Sequence, residues 1–259
     1  MSHRNAIRFT EALVGHELVR VEAPEPRLGG QRIPERLLGD RVTAAEAVGK
    51  HHLLRFESGR VLYSHLMMSG VWRLMPTGRA PRSGGLFLAL WTARHVAILH
   101  RCPNVRLLEP GEPLPRGLRA TGPDLLDPAF DRAEALRRLA ADPDREIGVA
   151  LLDQRSLAGI GNMYKDETLF VRRTSPWTRT ADVDDLGALV DQAQRFLQRN
   201  KDHAAQITTG DPRRGFEHWV YGRGGRPCRR CGTRIRTADQ GAAPYARLTA
   251  WCPTCQPDG

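Results

Sequence analysis

The sequence predicts an α+β protein made of three successive parts. Short apolar or alternating runs, separated by turn sequences, fill roughly the first hundred residues and indicate β-strands. A Pro/Gly-rich stretch at 110–123 follows, and beyond it apolar residues recur at helical spacing. Four of the five cysteines stand close to the C-terminus. We therefore expect a β-rich domain at 1–122, a helical domain at 123–221 and a cysteine-rich module at 222–259.

The β-rich part is predicted to be a β-sandwich with a flanking helix. Turn sequences such as Ser58-Gly59 and Gly29-Gly30 separate its strands. Many short strands at close spacing are typical of two packed sheets or a barrel. The helix is expected at residues 5–14, and the strands at 17–21, 41–47, 51–56, 60–65, 71–74, 86–91 and 95–99.

The middle part is predicted to contain four helices, at 131–140, 145–152, 162–171 and 183–197. Thr180 and Asp182 are the candidates to cap the last of these. A Gly159-Ile160-Gly161 turn precedes the third helix, which we expect Asn162 to cap. Glycines allow a phosphate to approach the backbone closely, and a helix N-terminus offers it free N–H groups.

The cysteines Cys228, Cys231, Cys252 and Cys255 form two Cys-x-x-Cys pairs. Two such pairs complete a tetrahedron of thiolates around one structural Zn²⁺, with no position open for catalysis. The alternatives are two disulfides or a chance cluster. In a cytosolic chain, where thiols stay reduced, we favour zinc over both. Residues 234–236 and 247–249 are expected to form a hairpin between the pairs. The fifth cysteine, Cys102, is expected to be a small packed residue.

The charge balance points to a polyanionic partner. The chain has 39 lysines and arginines against 29 acidic residues, a net charge of +10. Such an excess favours binding to nucleic acid or to an anionic membrane surface. The first fifteen residues lack a signal-peptide pattern, and the apolar runs are too short to span a bilayer. We therefore expect a cytoplasmic protein.

Three motifs, in order along the chain, resemble one known family. They are GKHHLL at 49–54 with SHLMMSG at 64–70, LLDQRSLAGIGNMYKDETLF at 151–170, and YGRGGRPCRRCGT at 221–233 with RLTAWCPTCQ at 247–256. Together they are similar to the formamidopyrimidine-DNA glycosylase / endonuclease VIII family. The resemblance implies a helix–two-turn–helix domain in the middle and a zinc finger at the end. It also implies a monomeric base-excision-repair enzyme that flips a damaged base out of duplex DNA, removes it and nicks the strand by β,δ-elimination.

The resemblance also implies roles for single residues. Lys50 would meet phosphates beside the lesion and take part in its processing. Met68 would fill the void left by the flipped nucleotide, against the simpler reading of a core methionine. Asn162 would hold a phosphate rather than act only as a cap. Arg247 would clamp a lesion phosphate from the zinc hairpin, against the reading of a solvated surface charge.

The catalytic nucleophile of the family does not match this sequence directly. The family uses the amine of an N-terminal proline, followed by a glutamate, whereas this chain begins Met1-Ser2-His3-Arg4. Either the amine of Ser2 substitutes, with His3 moving protons, or the true start lies upstream. Segment length favours the second explanation. The chain as written is then expected to bind abasic DNA without forming a borohydride-trapped adduct, which leaves a non-catalytic lesion-binding homologue as the alternative function.

Two further expectations concern specificity and class. The oxidised-purine branch of the family has an Asp-Pro-Arg-Arg-Phe-Gly loop where this chain has residues 100–106, HRCPNVR. The sequence therefore resembles the endonuclease VIII side, which prefers oxidised pyrimidines. A zinc-ribbon binder of RNA or protein is the third hypothesis, and it does not explain the two-glycine turn.

Overall fold

The computed structural model describes residues 2–67, 70–78, 86–203 and 205–257. It divides into two compact units, Met1–Arg119 and Ala120–Gly259. Strands dominate the first unit, and helices followed by a hairpin make up the second. The α+β class is therefore confirmed. The division of the chain at 122/123 and 221/222 stays a prediction.

The first unit contains two antiparallel sheets of four strands each. One sheet has the strand order β1-β6-β7-β5 and the other the order β2-β3-β4-β8. Three helices accompany the strands: α1 (Ser2–Leu13), α2 (Ile33–Leu37) and α3 (Arg116–Arg119). The strands are β1 (Arg20–Glu22), β2 (Val42–Val48), β3 (His51–Phe56), β4 (Val61–His65), β5 (Val71–Pro76), β6 (Leu86–Trp91), β7 (His95–His100) and β8 (Asn104–Leu108).

Side-chain alternation in β3 and β4 explains how the second sheet is covered on both faces. Leu54 and Leu62 point to one face and join the main core with Phe9 of α1. Leu53 and Tyr63 point to the other face, where they pack under Leu118 of α3. Both faces of the sheet are thus buried, and the predicted sandwich with a flanking helix is confirmed.

The strand β8 was not predicted, because the last strand expected from the sequence was that at 95–99. It pairs with β4, and Gln31 satisfies its outer edge: Gln31 Nε2 donates to the Val105 carbonyl at 3.1 Å, and Gln31 Oε1 accepts from the Leu107 N–H at 2.7 Å. The predicted Gly29-Gly30 turn is part of a 3₁₀ turn, Pro26–Gln31. That turn is what presents Gln31 to the edge strand.

The second unit contains four helices and one hairpin. They are α4 (Arg132–Ala140), α5 (Ile147–Ala150), α6 (Asn162–Arg172), α7 (Leu186–Asn200), β9 (Arg236–Gln240) and β10 (Arg247–Trp251). One core joins the helices through residues such as Leu139, Ile147 and Leu189. A second, smaller core lies under the hairpin and includes Phe170 and Ile235.

Two predicted helix caps were wrong. Thr180 and Asp182 lie in a 3₁₀ turn, and Asp185 caps α7 instead, since its carboxylate accepts from the Ala188 N–H at 2.7 Å. At α6 the N-cap is Gly161, in extended conformation, and Asn162 is the first helical residue. The side chain of Asn162 is therefore not used within its own helix and reaches another element. Among the described residues, none of the helices combines the length and the apolar character needed to cross a bilayer.

Candidate nucleic-acid interface

The four C-terminal cysteines form one cluster. The sulfur atoms of Cys228, Cys231, Cys252 and Cys255 all lie within 4.8 Å of one another. Cys231 Sγ and Cys252 Sγ are 3.5 Å apart, and Cys228 Sγ and Cys255 Sγ are 4.0 Å apart. Four thiolates bound to zinc at about 2.3 Å stand about 3.8 Å apart, whereas a disulfide needs about 2.05 Å. The cluster therefore fits one metal ion and not two disulfides.

Backbone geometry explains how the first pair of cysteines is presented. Gly232 has a φ of +79°, a left-handed conformation that favours glycine. It lets the Gly232 N–H return to the Cys228 carbonyl at 2.9 Å, while the Cys228 N–H donates to the Thr233 carbonyl at 2.8 Å. The chain thus makes a tight knuckle with both thiols on one side. Cys102, by contrast, is buried in the core of the first unit, as predicted.

Helix α6 is joined to strand β10 by three successive contacts. Asn162 Nδ2 donates to the Leu248 carbonyl at 2.7 Å. The Lys165 ammonium donates to the hydroxyl of Thr249, and the Ala250 N–H donates to Asp166 Oδ2 at 3.1 Å. Positions i, i+3 and i+4 of the helix share one face, so three neighbouring strand residues meet that single face. We call this set of contacts the α6–β10 joint.

The polar side chains of the joint are buried. Lys165, Asp166 and Thr249 are 0%, 1% and 0% exposed. The Lys165 ammonium lies 3.0 Å from Asp166 Oδ1, and burial lowers the pKa of Lys165 while raising that of Asp166 to about 7. The Thr249 hydroxyl, which accepts from Lys165, in turn donates to Gln240 Oε1 at 3.1 Å. Sequence reasoning missed these residues, since charged side chains inside a helix are normally read as solvent-facing.

Glu167, the next residue of α6, fixes the segment that leads into the first knuckle. Its carboxylate accepts the N–H groups of Trp219, Val220 and Tyr221 at 2.8, 2.8 and 2.9 Å, and also the hydroxyl of Thr208. A buried carboxylate needs such donors to offset the loss of hydration. The run Lys165-Asp166-Glu167 is the signal in the sequence that could have revealed this anchoring, because Met163-Tyr164 precede it and Leu169-Phe170 follow it after one threonine.

A cavity of about 450 Å³ opens beside the joint. Its lining combines the start of α6, the segment around Tyr221 and the hairpin: Asn162, Asp166, Tyr221, Gly222, Gly224, Thr237, Leu248 and Ala250. A side chain at Gly224 would displace Thr237, since a Cβ at this position would lie 2.7 Å from Thr237 Cγ2. Arg247 is half-buried at the start of β10, on the same side of the strand as Thr249, and Arg247 Nη1 donates to the Ala246 carbonyl at 3.0 Å.

In the first unit, Lys50 lies in the turn between β2 and β3, beside a group of histidines. His51 and His65 face each other across β3 and β4 with ring centroids 4.5 Å apart, and His51 Nδ1 is 2.8 Å from the Tyr63 hydroxyl. Burial first, and then the charges of His65 and Lys50, lower the pKa of His51 to about 4. His51 is therefore neutral at physiological pH, and Lys50 contributes a positive charge beside it.

Ser2 is the first described residue and begins α1. One turn later, Asn5 Nδ2 lies 3.5 Å from His52 Nε2, which places the start of α1 near the start of β3 and so near the turn that carries Lys50. Of the three candidate catalytic residues, Ser2 and Lys50 thus belong to the same end of the first unit, whereas Arg247 belongs to the second unit. Met68, the predicted wedge, lies outside the described residues.

Comparison with known proteins identifies the family. The sequence profile of the formamidopyrimidine-DNA glycosylase N-terminal domain matches residues 4–100, and that of the formamidopyrimidine-DNA glycosylase H2TH domain matches residues 121–209. A probable endonuclease 8 2 from Streptomyces coelicolor is 41% identical over 97% of this chain and 90% of its own length. This chain belongs to the formamidopyrimidine-DNA glycosylase / endonuclease VIII family. The predicted resemblance is thereby confirmed.

Other relatives and structures extend the comparison across the whole chain. A DNA-(apurinic or apyrimidinic site) lyase Nei2 from Mycolicibacterium smegmatis is 39% identical over 97% of this chain and 95% of its own. Endonuclease 8 from Escherichia coli is 30% identical over 98% and 97%. The formamidopyrimidine-DNA glycosylase of Lactococcus lactis, solved non-covalently bound to DNA with an apurinic/apyrimidinic site, superposes with a TM-score of 0.82 at 26% identity, over 99% and 98% of the two chains.

Proposed function

We propose that this protein is a base-excision-repair DNA glycosylase and apurinic/apyrimidinic lyase that acts on damaged double-stranded DNA. Relatives of 41% and 39% identity bear the names endonuclease 8 and apurinic/apyrimidinic lyase, and the Lactococcus lactis structure holds DNA with an abasic site. The net charge of +10 suits a polyanionic substrate. We further propose that it acts as a cytoplasmic monomer on the bacterial nucleoid.

The α6–β10 joint is the observation that carries this proposal. It brings Asn162, at the N-terminal end of a helix, beside the strand that begins with Arg247. An amide has two N–H donors, and the Leu248 carbonyl takes one of them, so the other remains for a phosphate oxygen. The helix N-terminus and the Arg247 guanidinium both favour an anion in the same region. We therefore assign Asn162 and Arg247 to the DNA backbone.

The cysteine cluster would stabilise the hairpin that carries Arg247. Cys228, Cys231, Cys252 and Cys255 would hold one zinc ion, which with four protein ligands is structural. Six buried residues form the core beneath the hairpin, and two of these are the ligands Cys228 and Cys252. The ion thus replaces part of a core that the hairpin is too short to supply. No chemical step passes through it.

The chemistry requires an unprotonated amine and a cation next to the lesion. The amine attacks C1′ of the damaged nucleotide, the glycosidic bond breaks, and the base leaves with the electron pair and takes up a proton. The C1′–O4′ bond of the sugar then opens, O4′ takes up a proton and the amine loses one, which gives the Schiff base. Loss of a C2′ proton expels the 3′ phosphate, and loss of a C4′ proton then expels the 5′ phosphate. Ser2 would supply this amine on the first of the two explanations for the N-terminus, substitution for the family's proline, and not on the second, which segment length favours. Lys50 would meet the flanking phosphates. The assignment of Met68 as the wedge remains a proposal from the sequence.

The test is incision and trapping on a duplex with one abasic site. The protein is incubated with the labelled duplex with and without borohydride, and the adduct is digested and mapped by mass spectrometry. Strand cleavage with phosphate at both ends supports the proposal, and an adduct on the peptide that starts at Ser2 overturns the explanation by an upstream start. Tight binding to the abasic duplex with neither cleavage nor adduct supports the lesion-binding alternative. Absence of binding overturns both.

A further inference from the structure

The α6–β10 joint contains a buried cation that the proposed grip on DNA does not explain. Lys165 is completely buried, and its ammonium contacts Asp166 and the hydroxyl of Thr249. Burying an ion pair carries a large desolvation cost, so such a pair is weak evidence for stability and is best attested as a device that fixes register. A role of Lys165 in fixing the position of β10 relative to α6 would account for the burial of this ion pair.

The position of Lys165 points to those elements. It lies one helical turn after Asn162, and its partner Thr249 lies two residues after Arg247 on the same side of β10. On the far side, the chain of hydrogen bonds continues from Thr249 to Gln240, and Gln240 Nε2 donates to Glu146 Oε2 at 2.9 Å and to the Pro176 carbonyl at 2.8 Å. These hydrogen bonds thus hold the hairpin against the helical part next to Asn162 and Arg247, the two proposed phosphate ligands.

A slip of the hairpin along α6 would break this chain at several points. Moving β10 by one residue places a different side chain opposite Lys165 and turns Thr249 to the other face of the strand. The ammonium would then face Leu248 or Ala250, neither of which has a side chain able to accept a hydrogen bond. The cost of that mismatch selects a single register.

We propose that Lys165 is a positioning residue for DNA binding: held between Asp166 and Thr249, it fixes the register of β10 on α6 and so the separation at which Asn162 and Arg247 grip one DNA backbone. This inference rests on the proposed function, because it takes both residues as phosphate ligands.

The test uses variants that remove the contact without leaving a buried charge unpaired. The double variant K165M/D166N removes both charges and keeps the length of each side chain. T249V removes only the hydroxyl, and T249S restores it. D185A, which removes the cap of α7, is the matched control for a loss of stability away from the joint. All proteins carry zinc and are assayed below their unfolding transitions.

The measurement is the affinity for a duplex with one abasic site at several salt concentrations. Each phosphate contact contributes about 0.9 to the slope of log affinity against log salt. We expect K165M/D166N and T249V to lower the slope by about 1 and the affinity about tenfold at 0.1 M salt, with T249S and D185A close to the wild type. A loss of stability alone leaves the slope unchanged, because it only reduces the folded fraction.

The outcomes separate this inference from the proposed function. A wild type that binds the abasic duplex, with T249V of equal slope and affinity, overturns the positioning role and leaves the proposed function intact. A wild type that does not bind DNA overturns the proposed function itself. If the double variant does not fold, the comparison of T249V with T249S decides the matter. Equal slopes in that pair refute the positioning role.

Discussion

Asn162 and the Leu248 carbonyl are joined by a hydrogen bond of 2.7 Å that links the first residue of α6 to β10. The two residues are 86 positions apart in the sequence. The contact means that a helix N-terminus, a known type of phosphate-binding element, and the hairpin next to the cysteine cluster are presented together. The position of Asn162 in the sequence suggests a helix cap, whereas this contact engages its side chain outside its own helix.

Replacement of Asn162 by alanine is expected to weaken DNA binding about tenfold at 0.1 M salt and to lower the salt slope by about 1. The variant loses the phosphate contact together with the hydrogen bond to Leu248. Fluorescence anisotropy with an abasic duplex measures both quantities. Q192A, which removes an amide from α7, is the control and should bind like the wild type. Equal affinities for N162A and Q192A would contradict the assignment.

Removal of the metal is expected to unfold the hairpin and abolish DNA binding. Zinc binding to small structural sites contributes on the order of 10 kcal/mol to their folding. Titration with a chelator, followed by circular dichroism and by DNA affinity, should show both losses together, and re-addition of zinc should reverse them. C228S should behave like the chelated protein, and C102S should not. Full DNA affinity in a metal-free sample would show that the cysteines do not act in this way.

Replacement of Glu167 by glutamine is expected to lower the free energy of unfolding by roughly 2–4 kcal/mol. The glutamine has one acceptor oxygen where the carboxylate has two, so at least one of the three backbone N–H groups loses its partner. Urea denaturation measures the change. E134Q, on the exposed surface of α4, is the control, because its salt bridges contribute little. Substitutions on a protein surface usually change the free energy of unfolding by less than about 0.5 kcal/mol. A loss that small in E167Q would argue against the anchoring role.

His51 is expected to make stability fall with acid. Its pKa in the folded protein is about 4, below the ordinary value of 6.5, so the folded state resists protonation. Stability is therefore full above pH 6.5 and is lost as the pH falls towards 4, by at most about 3 kcal/mol. H51Q keeps an acceptor for the Tyr63 hydroxyl and cannot take up the proton. The wild type should lose more stability than H51Q between pH 6.5 and 4, and parallel curves would refute the burial effect.

Much of the fold follows from local patterns in the sequence. The strands β3 and β6 were predicted with their observed bounds, because continuous apolar runs between turn residues leave little choice. The strand β8 was missed, since its edge is satisfied by the side chain of Gln31, which lies far away in the sequence. The predicted helix 145–152 begins only at Ile147, for a related reason: Glu146 is extended, with ψ of 131°, and forms a β-bridge with Arg179, which lies far along the chain.

The candidate site likewise has one part that the sequence predicts and another that it does not. The cysteine cluster was predictable, because ligand spacing is a local property. The joint was not, because the burial of Lys165 depends on Thr249, and a single sequence carries no sign of that pairing. Asn162 was predicted to be both a cap and a phosphate ligand, and the structure excludes only the first. The roles of Lys50, Arg247 and Ser2 stay predictions that the described geometry allows, and the trapping experiment tests that of Ser2.

The most direct test of the account is the affinity of the zinc-loaded protein for a duplex with one abasic site, measured against the same duplex without the lesion at 0.15 M salt. Both duplexes offer the same phosphates, so charge alone gives equal affinities. Lesion recognition predicts that the abasic duplex binds at least about tenfold tighter, a difference of about 1.4 kcal/mol. Equal affinities for the two duplexes would contradict the central claim that this protein recognises damaged DNA.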